Sequence, residues 1–261
     1  WRLLRCGPAS GATNMAIDEA ILRAVAAGLA APTLRLYAWA PPCLSLGRAQ
    51  SLADVDLEAL RAAGSDLVRR PTGGKAILHA DELTYSVIAP QSEPRVAGGV
   101  IESYRRLSQG LVCALEKLGV PHVAISRRAE RRSLDSPVCF EEPSDYEIIA
   151  GGRKLGGSAQ MRAQGAVLQH GAIPLGGDIA RICLVLTDHP DPALVHARAT
   201  TVAEELGRSV TWDEAADALA LGFAEALNLR LEPGGLTDAE RAWAAELRAQ
   251  KYASEEWTGR V

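Results

Sequence analysis

The sequence predicts an α+β fold. Strand-like segments come in runs broken by tight turns, helical segments lie between and after those runs, and the regular strand–helix alternation of a doubly wound parallel sheet is missing. In chain order, Ile17, Ala20, Ile21, Ala24 and Val25 recur at helical spacing, with Asn14 as N-cap and Gly28 closing the helix. Residues 33–39 (TLRLYAW) alternate as a strand does, and PPCLSLG continues that strand after a turn. Residues 57–63 read as a short helix ending at Gly64, and 66–70 as a strand that runs into PTGG. Residues 76–78 and 83–89 read as two strands joined by a short turn. Ile101, Tyr104, Leu107, Leu111, Leu115 and Leu118 mark a long amphipathic helix, and 120–125 return as a strand. Residues 126–136 are polar and arginine-rich and read as a surface loop. Residues 146–149 and 153–160 form a hairpin about Gly151-Gly152, followed by a strand over 166–174. After Thr200 the chain turns helical, with Thr211/Glu214 and Thr237/Glu240 each fitting a capping box.

Composition narrows the function classes. Charged residues make up 23% and hydrophobic ones 48% of the 261 residues, as in ordinary soluble globular proteins. A net charge of −4 gives no reason to expect nucleic acid as a partner. No apolar run has membrane-spanning length, so no membrane partner is expected. The five cysteines show no CxxC spacing and their number is odd, which argues against a disulfide framework or zinc site and fits a reducing cytoplasm. No histidine pair has zincin spacing, and no metal is expected.

Three segments carry chemistry. In RRPTGGK, two arginines at a strand end precede Gly73 and Gly74, then Lys75 and, further on, His79. Glycine permits close backbone approach, and a cation meets a carboxylate or phosphate. The competing reading is a tight turn with solvated charges. In GGRKLGGSAQ, four glycines within seven residues surround Lys154, with Leu155 and Ala159 read as facing inward; here the alternative is a plain hairpin with an exposed lysine. Cys139 ends the polar loop. A cysteine and a lysine on glycine-loosened backbone suit acyl transfer, with the thiolate as nucleophile and the ammonium at the oxyanion. Cys183 and Cys113 have the apolar neighbours of core residues, and Cys6 and Cys43 beside Gly or Pro are uninformative. His170 precedes Gly171 at a strand and is a candidate site residue, while His189 and His196 lie in a polar stretch and read as exposed. Arg127, Arg128, Arg131 and Arg132 precede Cys139 and form either a docking patch for an acidic partner or a solvated loop.

RRPTGGKAILHADELTYSV, CFEEPSDYEIIAGGRKLGGSAQ and LQHGAIPL together resemble the lipoate/biotin protein ligase superfamily, within it the LipM-type octanoyltransferases. NMAIDEAIL, PTLRLYAWAPPCLSLGRAQ and the late KYASEEW extend the resemblance over nearly the whole chain. It implies a single catalytic domain over residues 1–261, with a mixed β-sheet flanked by α-helices. It implies Cys139 and Lys154 as catalytic residues, and Arg70, Thr72, Gly73, Gly74, Lys75, His79, Gly157, Ser158 and His170 as substrate-binding ones. The ATP-dependent lipoate ligases usually have a third glycine where this chain has Lys75. The LipB type places its cysteine in a Pro-Cys-Gly segment, and here the corresponding region reads ICLVLTDHPD.

The implied reaction moves octanoyl from the acyl carrier protein thioester to a lysine of a lipoyl-domain protein such as the glycine cleavage H protein, with no cofactor. Two steps of modest height replace one hard step, and the final amide is more stable than the thioester. Three other readings remain at this level: an ATP-dependent lipoate ligase, an octanoyl amidotransferase between lipoyl-domain proteins, and a non-catalytic carrier-binding domain.

Overall fold

The structure is a computed structural model and describes residues 1–126 and 147–261. Cys139, the four arginines at 127, 128, 131 and 132, and nearly all of the expected polar loop lie outside the described residues. The first half of the chain forms β1 (Arg2–Arg5), α1 (Gly11–Ala26), β2 (Thr33–Tyr37), β3 (Cys43–Leu46), α2 (Leu57–Ala62), β4 (Asp66–Arg69), β5 (Ile77–His79) and β6 (Glu82–Pro90). Then come α3 (Val100–Leu118), β7 (Val123–Ile125), β8 (Ile148–Ala150), β9 (Arg153–Ala163) and β10 (Ala166–Pro174). The remainder is α4 (Pro192–Arg198), α5 (Val202–Leu206), α6 (Trp212–Ala226), β11 (Glu232–Pro233), α7 (Asp238–Leu247) and α8 (Glu255–Thr258).

Among the described residues, eight strands form one sheet in the order β11-β1-β2-β6-β10-β9-β8-β7, and β4-β3-β5 form a smaller one. The large sheet is mixed: β1 runs parallel to β2 and β11, and the other pairings are antiparallel. The α+β class and the mixed sheet flanked by helices are therefore as expected.

Side-chain alternation decides what each face does. On β6, Leu83, Tyr85, Val87 and Ala89 join Leu34, Leu36, Val167 and Ile173 in the main core, under α3 and α6. The intervening residues of these strands face α1. At one end of that face Ile88, Ala166 and Leu168 pack on Ile21, Leu22 and Val25. Towards the other end the same face carries Arg35, Tyr37, Thr84, Ser86 and His170, all buried. A half-polar buried face of this kind cannot form a dry core. It forms a hydrogen-bonded floor, and the small sheet stands over it.

Several expectations are corrected. Helix α1 begins three residues before Asn14 and is capped by Ser10. Asn14 instead bonds through its side-chain amide to the carbonyls of Ala9 and Ala38, tying the helix to the end of β2. The PPCLSLG strand does not extend the large sheet, because β3 pairs with β4 and β5. The turn after β5 likewise carries the chain from the small sheet to the large one. Helical structure after β10 begins before Thr200, with a 3-10 helix over Ile179–Val185 and then α4 from Pro192. The Thr237/Glu240 box is complete, whereas Glu214 turns its carboxylate to Arg208. Leu155 lies in the main core and Ala159 lines a pocket on the opposite face. Ile148 pairs with Gly156 but Ile149 with Lys154, so Leu155 is the extra residue of a bulge that reverses the alternation. Cys113 is only partly buried, on the flank of α3.

Helices α3 and α6 meet through glycine. A Cβ on Gly222 would lie 2.4 Å from the Ala114 nitrogen and 2.7 Å from its Cα, both backbone atoms that cannot swing aside. Gly222→Ala should force the helices apart and cost about 1–3 kcal/mol. Urea denaturation of the two proteins measures it, and an unchanged midpoint would contradict this packing.

Candidate active site

A narrow pocket opens between the two sheets. It has about 40 Å3 of free space, below the ~300 Å3 or more usual for small-molecule sites, so a ligand must push its lining apart. Arg70 and Gly74 line it from the glycine loop, His79 from β5, Gly157 and Ser158 from β9, and His170 from β10. Six of the residues singled out in the sequence thus converge, although up to 100 positions separate them. A larger open groove of about 810 Å3 runs between Gly7, Leu175 and Trp212. None of those six residues lines it, so the narrower pocket is the better candidate.

The loop holds itself in shape. Arg70 Nε and Nη2 donate to the Gly73 carbonyl at 3.1 and 2.8 Å, Nη2 also to that of Lys75 at 2.8 Å, and Nη1 to the carbonyl and hydroxyl oxygens of Ser45. Arg69 is wholly buried and spends its guanidinium on the carbonyls of Gly47, Gln50 and Thr258. The reading of solvated charges on a turn is therefore overturned. Gly74 has φ +94°, which favours glycine. Gly47 packs against it so closely that a Cβ would lie 1.8 Å from the Gly74 carbonyl oxygen. Lys75 does not line the pocket, and its Nζ is buried without a hydrogen-bond partner among the described residues.

Two relays of hydroxyl, imidazole and carboxylate flank the pocket. In one, Thr72 Oγ1 lies 2.7 Å from His170 Nε2, and His170 Nδ1 lies 3.2 Å from Asp18. In the other, Ser45 Oγ lies 2.8 Å from His79 Nε2, and His79 Nδ1 lies 2.6 Å from Glu82. Glu82 also accepts from the Thr84 hydroxyl at 2.5 Å, which in turn accepts from the indole N–H of Trp39 at 2.7 Å. Trp39 stacks on the His79 ring, centroids 4.0 Å apart and planes 8° from parallel. The carboxylates can only accept, so in the neutral rings Nδ1 carries the proton and Nε2 accepts from the hydroxyl. The polar atoms thus satisfy one another, and hydrocarbon can lie beside them without stranding a donor.

Electrostatics favour the neutral state of His170. Burial lowers its pKa, and Arg70 and His79 push the same way, against the pull of Asp18. Burial alone would raise the pKa of Asp18, but Arg35 at 2.7 Å and His170 outweigh it and hold the carboxyl below its usual range. Burial drives the Cys43 thiol well above its ordinary pKa, with Asp66 and Glu82 adding to the effect, so it is a poor nucleophile. Cys183 is buried in an apolar cluster, as expected.

Lys154 is buried, not exposed as the plain-hairpin alternative had it. Its Nζ lies 2.5 Å from Glu147 Oε1, and Glu147 is buried too. Lys154 follows the Gly151-Gly152 turn and stands three residues before Gly157 on β9. Glu147, Asp18, Ser45, Gly47, Trp39 and Glu82 were not singled out in the sequence. Glu82, three positions after His79, was the most accessible of them, and all six lie within segments already noted as similar to the superfamily.

A profile of the lipoyl protein ligase A/B catalytic domain matches residues 10–224. The chain belongs to this family. It is 46% identical to octanoyltransferase LipM of Symbiobacterium thermophilum, with all of this chain and 98% of that protein aligned. It is also 46% identical over the same shares to octanoyltransferase LipM of Kyrpidia tusciae. Among solved structures, lipoate-protein ligase A bound with ATP superposes with a TM-score of 0.82 at 28% identity, covering all of this chain and 99% of that one. The Thermoplasma acidophilum protein Ta0514, a lipoate protein ligase with bound lipoic acid, gives 0.83 at 28% identity, with coverage of 100% and 98%. No helix among the described residues of this family member is long and apolar enough to cross a membrane.

The depressed pKa of His170 gives a pH dependence with a definite sign. The unfolded chain takes up this proton near pH 6.5, whereas the folded one does so only at lower pH. The stabilisation is fully present above about pH 6.5 and declines as the pH falls below it, at no more than ~1.4 kcal/mol per pH unit. Urea titrations of wild type and His170→Gln between about pH 5 and 7.5 should show a shallower slope for the variant. Parallel slopes would remove His170 as the cause.

Proposed function

We propose that this chain transfers octanoyl from the thioester of acyl carrier protein to a lysine of a lipoyl-domain protein, such as the glycine cleavage H protein, in lipoate assembly. The observation that carries the reading is the full-length similarity, at 46% identity, to octanoyltransferases LipM. A single catalytic domain spanning residues 1–261 and a cytoplasmic location go with it.

In the proposed cycle the thiolate of Cys139 attacks the donor's acyl carbonyl. The carbon–sulfur bond to the carrier breaks, and the carrier leaves as a thiol with the proton released from Cys139. A neutral lysine amine of the acceptor then attacks the acyl-enzyme. The second carbon–sulfur bond breaks, the amide forms, and the amine's proton restores the Cys139 thiol. No nucleoside triphosphate is needed, because the first exchange is between thioesters and the second runs downhill to an amide. Lys154 would steady the thiolate and the oxyanion as an ammonium. Its buried contact with Glu147 supports that protonation state, since losing the proton would strand a buried carboxylate.

Gly73, Gly74 and Gly157 are assigned to the acyl group, with Arg70, Thr72, His79, Ser158 and His170 shaping its slot and Lys75 behind the loop. The pairing of polar atoms within the two relays supports an apolar occupant. Burying an eight-carbon chain at ~0.8 kcal/mol per methylene contributes several kcal/mol, enough for slot depth to select length.

Intact mass spectrometry after mixing with octanoyl-acyl carrier protein, without ATP, tests the reading. A hydroxylamine-labile octanoyl adduct is expected. Adduct formation only with ATP and free acid would replace the transferase by the ligase. Cys139→Ser should lose the adduct and several orders of magnitude of turnover, and Lys154→Arg should remain poor because charge alone does not restore shape. Retention of a thiol-linked octanoyl in Cys139→Ser would mean the nucleophile lies elsewhere. Gly74→Val should abolish turnover with the fold intact, since its φ is +94° and its Cβ would stand 2.8 Å from Arg70; circular dichroism beside turnover separates this from unfolding.

A further inference from the structure

The KYASEEW segment, singled out in the sequence, has no part in the chemistry above. Its Lys251, Tyr252, Ser254 and Trp257 side chains are nevertheless each committed to specific partners. Lys251 Nζ and Tyr252 OH donate to Glu19 of α1, at 2.6 and 2.5 Å. Ser254 caps α8, which presents Trp257 to the end of β4. The indole N–H of Trp257 donates to the carbonyl of Arg69 at 2.8 Å, and the next carbonyl, of Thr258, accepts from Arg69 Nε and Nη2 at 3.0 and 2.7 Å. The Trp257 ring is also flanked by two cations, with Lys251 Nζ 4.2 Å and Arg260 Cζ 4.5 Å from its centroid.

From Arg69 the connection runs directly to the pocket. Its Nη1 donates to the carbonyls of Gly47 and Gln50, at 2.9 and 2.6 Å. The next residue after Gly47, Arg48, donates its backbone N–H to Thr72 at 2.8 Å. Gly47 itself lies against the Gly74 carbonyl with no room for a Cβ. Gly74 lines the pocket. An unbroken series of short contacts therefore links Trp257 through Arg69 and residues 47–48 to the glycine loop. Trp257, Arg69, Gly47 and Arg48 do not themselves line the pocket.

We propose that residues 251–258 form the positioning element of the glycine loop, and that Trp257 and Arg69 thereby set the length of acyl chain the pocket takes. This rests on the reading of the pocket as an acyl slot. The physical reason is that a loop built on φ +94° at Gly74 has no regular secondary structure to hold it. Its position relative to β9 and β10 fixes the depth of a pocket with little free space. A loop tethered from behind through a rigid fork holds one depth, and a loosened one admits longer chains.

The test compares Trp257→Phe, which keeps the ring and loses the N–H, and Arg69→Lys, which keeps the charge and loses the fork. The control is Phe223→Leu, in the core on the far side of the large sheet. For each protein the ratio of dissociation constants for octanoate and decanoate is measured by calorimetry. A ratio does not depend on the folded fraction, so simple destabilisation leaves it unmoved. Both site variants should shift the ratio towards decanoate by about threefold to fivefold, the scale of a single hydrogen bond, and Phe223→Leu should not. An unchanged ratio in Trp257→Phe overturns the proposal even if its activity falls, and that variant decides the matter if Arg69→Lys does not fold. Binding of neither fatty acid by the wild type also overturns it. The transferase reading is judged separately, by octanoyl transfer from carrier protein without ATP, and can fail while the ratio still shifts.

Discussion

A buried carboxylate organises this molecule. Asp18 lies wholly buried on α1 and accepts from Arg35 and Tyr37 of β2, Ser86 of β6 and His170 of β10. An isolated carboxylate in such a place would cost many kcal/mol and would neutralise itself by taking up a proton. Here four donors from three strands keep it charged, and the arrangement is satisfied only when α1 and those strands stand in one register. The ion pair with Arg35 adds little net stability by itself, because both partners give up their hydration. Its consequence is geometric, since removing either partner would strand the other. The helix therefore stands at a fixed height above the sheet, and the space beside it becomes a pocket.

From this hub the constraint passes outward. His170 carries it to the Thr72 hydroxyl, the first point at which the large sheet grips the glycine loop. The small sheet grips the loop from the other side through Ser45 and Arg70. The pocket is thus a seam between two sheets, closed by a segment that has no hydrogen-bonded ladder of its own. Such a seam can open for a chain of methylenes without breaking either sheet, and it offers that chain ring faces and glycine backbone in place of unpaired donors. This chemistry supports the acyl ligand proposed for it.

The second buried ion pair, Lys154 with Glu147, has a different character. It joins the residue before β8 to the second residue of β9 across a two-glycine bend. The strand alternation is broken just there by the Leu155 bulge. A bulge beside a buried lysine is a local irregularity of the kind proteins retain where a side chain must be aimed.

Much of this was legible in the sequence, for reasons tied to short-range physics. Helical periodicity placed α3 and α6 because each buries one continuous stripe, whereas β6 and β10, buried on both faces, were marked by the turns that bound them. The Gly151-Gly152 turn marked its hairpin because few residues accept its backbone angles. The convergence of Arg70, His79, Gly157 and His170 followed from segments similar to a superfamily, and from no periodicity. What escaped were the partners of individual polar side chains and strands. That Asn14 ties a helix to a strand where a cap was expected, that β3 leaves the large sheet for the small one, and that Asp18 and Glu82 complete the two histidine relays all depend on partners 3 to 152 residues away. A lone carboxylate in a sequence looks the same whether solvent or an imidazole will satisfy it. Chain composition and spacing determine which elements form and which faces they bury. Only the packing of those elements decides which polar groups are shut away from water together, and that shared burial is what turns them into a site.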